Sequence, residues 1–551
     1  MSRTIVPDGT GAQHLSLGPY TRFVEARLEE MAKRSVPRRI RERDPSVWSD
    51  ESASEVTDRL GWLDLPEAME TELDAIEDFV QEALKDEIRQ VVLLGMGGSS
   101  LAPEVFHRIL GAGTGHPRLI VVDTIHPDAL TSVTDDIDPE ATLFLVSSKS
   151  GATIESLSLY RHFRNLASAQ TRFVAITDPG TPLMALAREE GFDRVFASPP
   201  DVGGRFSALT HFGLVPAALV GVDIRDLLAR AVTMAETTRA CVPGDENPAL
   251  VLGATLGTLA VQGRDKATVV VSRSLKGFPD WVEQLLAAST GKSGKGILPV
   301  VGEPLGDPSV YGDDRVFIHW RLLGDDDDLN TMRLEMLERA GHPVVRIRLD
   351  DLEDIAREMY RAEYAVAVAG AVLGIHPFNQ PDVQVAKDLA RQAMQGELSE
   401  ALVPEVSAFD SQKLPEAVSA WVHGVRPGDY AAIQVFLEPT AATTAALREI
   451  RRVIRDRFIV ATTLGYGPRF LHSTGQFHKG GTNTGMFLQL VDEPADDIAV
   501  PRSDYTFGRL ISAQSIGDYQ ALAHRGRPLL RLNLRRDISG GLTALRKALG
   551  G

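Results

Sequence analysis

Val91 to Pro103 reads VVLLGMGGSSLAP: four consecutive apolar residues, a glycine-rich turn, and two serines leading into a further apolar segment. An unbroken apolar run suits a parallel strand covered on both faces better than an alternating one would. Gly95, Gly97 and Gly98 permit a tight turn behind it, and Ser99 and Ser100 suit the cap of a following helix. Free N–H groups at such a helix start receive anions. A plain strand-to-helix connection would read the same way, and the turn lacks the GxGxxG spacing of the dinucleotide fingerprint. One crossover further, Thr142 to Ser147 (TLFLVS) repeats the pattern and runs into Ser148, Lys149, Ser150, Gly151, Ala152 and Thr153. Two neighbouring strands thus end in small, hydroxyl-rich turns at one sheet edge, the edge at which open α/β sheets bind ligands.

The chain has 551 residues, 43% of them hydrophobic, too many for one core, so two or three domains are expected. A formal net charge of -17 argues against nucleic acid or an anionic membrane as the main partner. A phosphate pocket would then be a local device of hydroxyls, Lys, Arg and helix N-termini. The single cysteine, Cys241, excludes an internal disulfide framework and a cysteine zinc site, and is expected to be a buried or partly buried spectator. The opening MSRTIVPDGTGAQ has no apolar core of a secretory signal, and Ala365 to Ile375 is too short to span a bilayer. A soluble, cytoplasmic protein is expected.

The first 86 residues read as a helical N-terminal segment, with amphipathic runs at Tyr20 to Met31 and Glu70 to Leu84. Arg38, Arg39, Arg41 and Arg43 either guard a phosphate or form a solvated face paired with acids. Residues 87–235 form a first parallel α/β domain, with strands expected at 90–94, 118–122, 142–147, 172–176 and 193–197. Its end carries the loop Asp201-Val-Gly-Gly-Arg-Phe-Ser207, in which Arg205 either aims a fork of donors at phosphate or enolate oxygens or pairs with a surface carboxylate. A second α/β domain is expected over 245–397, with strands near 268–272, 297–300, 316–320 and 344–349. Gly291, Lys292, Gly294 and Lys295 form either an anion loop or a solvated turn, and Asp325 to Asp328 an acidic surface turn rather than a metal cage. Residues 398–551 read as an irregular C-terminal α/β extension completing the larger domain. It holds a loop over 398–428, strands at 431–436, 458–463 and 529–534, helices at 441–456 and 508–525, and a polar loop at Leu464 to Thr484.

Three motifs in order, GMGGSSLAP, SSKSGATIES and DVGGRFSALTHFG, together with the later PFNQPDVQVAK, resemble the glucose-6-phosphate isomerase family, in particular the isomerase portion of bacterial transaldolase/glucose-6-phosphate isomerase fusion proteins. The resemblance implies two sugar-isomerase-type parallel-sheet α/β domains and a homodimer acting on hexose 6-phosphates, with no cofactor and no metal. It assigns the sugar phosphate to Ser99, Ser148, Lys149, Ser150, Thr153 and Ser156. It gives Arg205 the developing enediolate, Gln284 a substrate contact, and Gln380 with Lys387 the ring-oxygen end of the substrate. For ring opening it points first to His478 and then to His472. The implied reaction interconverts glucose 6-phosphate and fructose 6-phosphate through a cis-enediolate, which needs a base near C1 and C2 and positive charge near the intermediate.

One departure stands out. The family places its proton-transferring glutamate just before a Ser-x-Gly-Lys segment, and here that segment is Leu286-Ala287-Ala288-Ser289-Thr290-Gly291-Lys292. The base position is therefore Ala288, whose methyl group carries no proton. A catalytically impaired sugar-phosphate sensor or regulatory protein is the alternative expectation.

Overall fold

A computed structural model describes residues 2–5, 11–48, 54–168, 170–244, 246–396 and 403–551. Three sheets carry the fold. In the first, parallel strands lie in the order Arg118–Val122, Gln90–Gly95, Thr142–Ser147, Arg172–Thr177, Arg194–Ala197. Val91 to Leu94 and Leu143 to Val146 are fully buried, as continuous apolar strands covered on both faces should be.

The second sheet runs Ser2–Ile5, Gln13–Ser16, Val344–Leu349, Arg315–Leu322, Lys266–Val271, Leu298–Val301. Its last four strands are parallel. The first two form an antiparallel pair whose second strand docks antiparallel on Val344–Leu349. The N-terminal segment, helical over most of its described length, thus also contributes two short strands. Gln13–Ser16 is too short and too polar to announce itself, and it is held by a partner some 330 residues away.

The third sheet is regular and parallel, in the order Val406–Ser407, Leu529–Asn533, Gly485–Val491, Tyr430–Phe436, Ala461–Tyr466. Gly485–Val491 lies between two partners and has no counterpart among the expected strands, because the polar stretch before it masks where the strand begins. The polar loop itself holds a short helix, Gly475–Gly480. Of the loop expected over 398–428, residues 398–402 lie outside the described residues, and the remainder contains the helix Lys413–Val422.

The second and third sheets meet through a buried polar seam. Glu303 accepts from Arg315 Nη2 at 2.9 Å, from Thr462 N at 3.0 Å and from Thr462 Oγ1 at 2.6 Å, while Arg451 donates to Thr462 O at 2.6 Å and Val301 O at 2.8 Å.

Three smaller expectations resolve here. Cys241 is exposed, because it falls in the turn after the helix Ile224–Thr237 rather than on a packed face. The four arginines at 38–43 pair with Glu42, Asp44 and Asp64, the solvated-face alternative. Within the acidic turn Asp327 is buried, because its carboxylate meets His319 Nε2 at 2.6 Å. No helix among the described residues is long and apolar enough to cross a membrane.

Candidate active site

Close approach fixes the turn after the strand Gln90–Gly95. Gly97 has φ +59°, and a Cβ there would lie 2.6 Å from Gln284 Nε2 and 3.0 Å from His472 Cβ. A Cβ on Gly98 would lie 1.9 Å from Gly204 O. Only glycine tolerates such a backbone in such company. The turn therefore gathers pieces from distant parts of the chain: the Gly204–Arg205 loop, the helix Phe278–Thr290 that carries Gln284 and Ala288, and the 3₁₀ turn Arg469–His472.

The second strand-end turn lies beside it. Ser147 Oγ donates to Ser99 O at 3.0 Å, Ser148 Oγ lies 2.9 Å from Thr153 Oγ1, and Ser150 Oγ accepts from Ala152 N at 3.3 Å. Thr153 precedes the helix Ile154–Leu166, and its hydroxyl faces Ser148 rather than capping the helix. Ser156, fully buried in that helix, has a hydroxyl without a partner among the described residues. Lys149 forms an ion pair with Asp178, so its charge is already neutralised within the chain.

The same helix contributes Glu155. Its Oε1 lies 2.9 Å from His472 Nε2 and accepts from Gln514 Nε2 at 2.7 Å, while His472 O accepts from Gln284 Nε2 at 2.6 Å. Burial works against the ionised carboxyl. The charge and hydrogen bond of His472, with the Gln514 amide, outweigh it and hold Glu155 at about 2.

Two basic side chains converge on the 376–379 segment. Arg205, buried, donates through Nε to Ser289 Oγ at 2.7 Å and through Nη2 to Pro377 O and to Asn379 O at 3.3 Å; burial brings it down to about 9. Lys292 donates to His376 O at 2.7 Å and Asn379 O at 2.6 Å. Burial, then the Arg205 charge, push its amine well below the lysine range. Gln476 ties this corner together, its amide donating to Gly291 O and Asp382 Oδ2 and its carbonyl accepting from Asp382 N. Gln380, half-buried, lies in the same 376–382 segment.

Ala288 is fully buried, one residue from the serine that Arg205 grips. The nearest carboxylate in sequence, Glu283, lies in other company. Burial, then Asp280, raises it to about 8, and its opposing charges are Arg451 and Arg469. His478, first choice for ring opening, is buried away from this cluster. Its ring stacks on Tyr430, its Nδ1 lies 3.1 Å from the Tyr430 hydroxyl, and Phe487 closes over it edge-on. Lys387 is exposed on the helix Pro381–Met394 and makes no hydrogen bond or ion pair among the described residues.

Ser99, Lys149, Ser148, Ser150, Thr153, Arg205 and Gln284 thus lie on or beside the two strand-end turns and the Gly204–Arg205 loop, with His472 against the glycine turn, Ser156 in the helix behind Thr153 and Gln380 in the 376–382 segment. Glu155, Lys292, Gln476 and Gln514 join them without having been singled out for this site. Glu155, Lys292 and Gln476 carry a signal, the first inside a quoted motif, the second in a candidate anion loop and the third in the polar loop at Leu464 to Thr484.

The phosphoglucose isomerase family model matches residues 64–297. A glucose-6-phosphate isomerase from Rubrobacter xylanophilus is 32% identical over 388 residues, covering 61% of this chain and 89% of the relative. One from Parabacteroides distasonis is 30% identical over 385 residues, covering 60% and 86%. The chain belongs to the phosphoglucose isomerase family. Its likeness to the family extends to the fold: a glucose-6-phosphate isomerase structure from Chlamydia trachomatis superposes with TM-score 0.60 at 20% identity, covering 72% of this chain and 91% of that one. A hypothetical protein from Thermus thermophilus superposes at 0.57 with 25% identity, covering 71% and 99%. As a phosphoglucose isomerase relative it is an isomerase-like enzyme. The matches bear on the isomerase portion of the expected resemblance and not on the fusion proteins.

Proposed function

We propose that the crevice interconverts glucose 6-phosphate and fructose 6-phosphate through a cis-enediolate. One observation carries the reading: at Gly97 and Gly98 no Cβ fits, because Gln284, His472 and Gly204 press on the turn, so the motif residues converge on a single place. The phosphate lies against the Ser148–Thr153 turn and the start of the following helix. His472, held by Glu155, opens the ring, a role assigned to it rather than to His478. A proton then leaves C2 and returns at C1, and the negative charge on the intermediate meets Arg205. Neither step calls on a redox group or a metal. The reading includes a cytoplasmic homodimer.

A second reading, sugar-phosphate sensing without turnover, is favoured by Ala288, since no carboxylate stands at the position of the base. Loss of a general base costs roughly 10²- to 10⁴-fold in rate. The deciding experiment is a coupled assay from fructose 6-phosphate on the native chain and on Ala288→Glu, beside a thermal-shift titration with both sugars. The expected result is slow native turnover, raised at least about tenfold by Ala288→Glu with little change in affinity. Native turnover at full isomerase rates, with no gain in the variant, would show that the base lies elsewhere. Stabilisation by ligand with no turnover in either protein would select the sensor.

A further inference from the structure

The turn Arg469–His472 follows the third-sheet strand Ala461–Tyr466 and is held at both ends. At its far end stands His472, with the ring on Glu155, the carbonyl accepting from Gln284 Nε2, and the Cβ pressed against the position of Gly97. At its near end the Arg469 guanidinium reaches three carboxylates. Nη1 donates to Asp123 Oδ2 at 2.7 Å and Nη2 to Glu104 Oε2 at 2.5 Å, while Asp280 Oδ2 lies 3.6 Å from Nη2.

Those carboxylates belong to elements that build the crevice. Asp123 directly follows the first-sheet strand Arg118–Val122. Glu104 lies in the helix Leu101–Leu110, which begins where the glycine turn ends. Asp280 lies four residues before Gln284 on the helix Phe278–Thr290, and residues at that spacing share a helix face. One face of that helix therefore holds the turn twice, through Asp280 at Arg469 and through Gln284 at His472.

Charge makes the guanidinium hard to replace. Arg108 also serves the group, 2.6 Å from Glu104 and 3.5 Å from Asp280, but Arg469 is the cation that pairs with Asp123. Burial raises Asp123 to about 6, and the Arg469 charge is the main force against that rise. Without Arg469 the carboxylates would repel one another across the junction of these elements. Its planar fork also fixes direction, which an ammonium on a flexible stem does not.

We propose that Arg469 is a positioning residue for ring opening: clamped to Asp123, Glu104 and Asp280, it sets the His472 imidazole against Glu155, an inference that rests on His472 as the ring-opening group.

Exchange between the α and β anomers of glucose 6-phosphate requires the ring to open and close but requires no base at C2. It therefore reads this step whatever Ala288 does to isomerisation, and exchange NMR should show the native chain accelerating it. Arg469→Lys keeps the charge and loses the fork. It should bind glucitol 6-phosphate, an open-chain analogue, as tightly as the native chain does. Its acceleration of anomer exchange should fall at least about tenfold, since a misplacement of about 1 Å can cost about 10²-fold. Combined with His472→Asn, it should slow exchange no further than His472→Asn alone, because the two changes remove one function. Asp123→Asn, which loosens one hold and leaves Arg469 in place, should show a smaller loss of the same kind. Native-like exchange in either single variant overturns the proposal. So does a further loss on top of His472→Asn, a fall in glucitol 6-phosphate affinity that matches the fall in exchange, or a native chain that does not accelerate exchange. Accelerated exchange without formation of fructose 6-phosphate, lost in Arg469→Lys, would uphold the positioning role and overturn only the isomerase reading.

Discussion

His472 and His478 come from one polar loop and end in opposite surroundings. His472 meets a carboxylate and backs onto the glycine turn, whereas His478 is enclosed by aromatic rings, and burial followed by the charges of Lys479 and Arg527 keeps it neutral. His472→Asn should therefore lower turnover of closed-ring substrate by about 10²-fold or more while sparing an open-chain analogue. His478→Phe should change stability rather than the ratio of the two rates. An equal loss on both substrates in His472→Asn would remove it from ring opening. His162 is pushed down to about 4 by burial. The unfolded chain takes up a proton near 6.5 and the folded chain does not, so this contribution is complete above pH 6.5 and fades as pH falls towards 4. At about 1.4 kcal/mol per unit the loss reaches about 3 kcal/mol. Urea midpoints should fall between pH 7 and 4.5, and less steeply in His162→Gln; parallel slopes would contradict the assignment.

At the scale of elements, the glycine turn is the part least free to change. Gly98→Ala drives a methyl into the Gly204 carbonyl and must displace the loop that aims Arg205. Sugar-phosphate affinity should drop at least about tenfold, while the cost in stability stays near 1–3 kcal/mol; unchanged affinity would show that the two loops move independently. This turn was legible in the sequence because its information is local: apolar runs mark strands buried on both faces, and glycine followed by serine marks the bend behind them. The same logic found the parallel strands of the first sheet and most of the second. It failed where information is distant or masked. Gln13–Ser16 is a strand only because Val344–Leu349 receives it, and Gly485–Val491 follows directly on a polar loop. The pairing of Glu155 with His472 depends on how sheets are stacked, which no motif spacing records, so the sequence alone does not separate His472 from His478.

Across the whole molecule, one carboxylate joins two sheets. Glu303 satisfies Arg315 from the second sheet and Thr462 from the third, all buried. Removing one member of a buried ion pair leaves the other uncompensated, so Glu303→Gln should cost about 3–5 kcal/mol in chemical denaturation. Adding Arg315→Met should restore part of it; a loss below about 1 kcal/mol would mean the seam is wet. The contact between Gln514 and Glu155 has a different consequence, one of timing. The first sheet can fold as soon as it emerges during synthesis, but Glu155 then waits for a partner 359 residues downstream. At about 5–20 residues per second that interval is roughly 20 to 70 s. A ribosome-bound chain would thus display the Ser148–Thr153 turn while His472 and Gln514, the partners of Glu155, are still untranslated. Ligand capture by nascent chains should begin only once the helix Phe507–Ala523 has emerged.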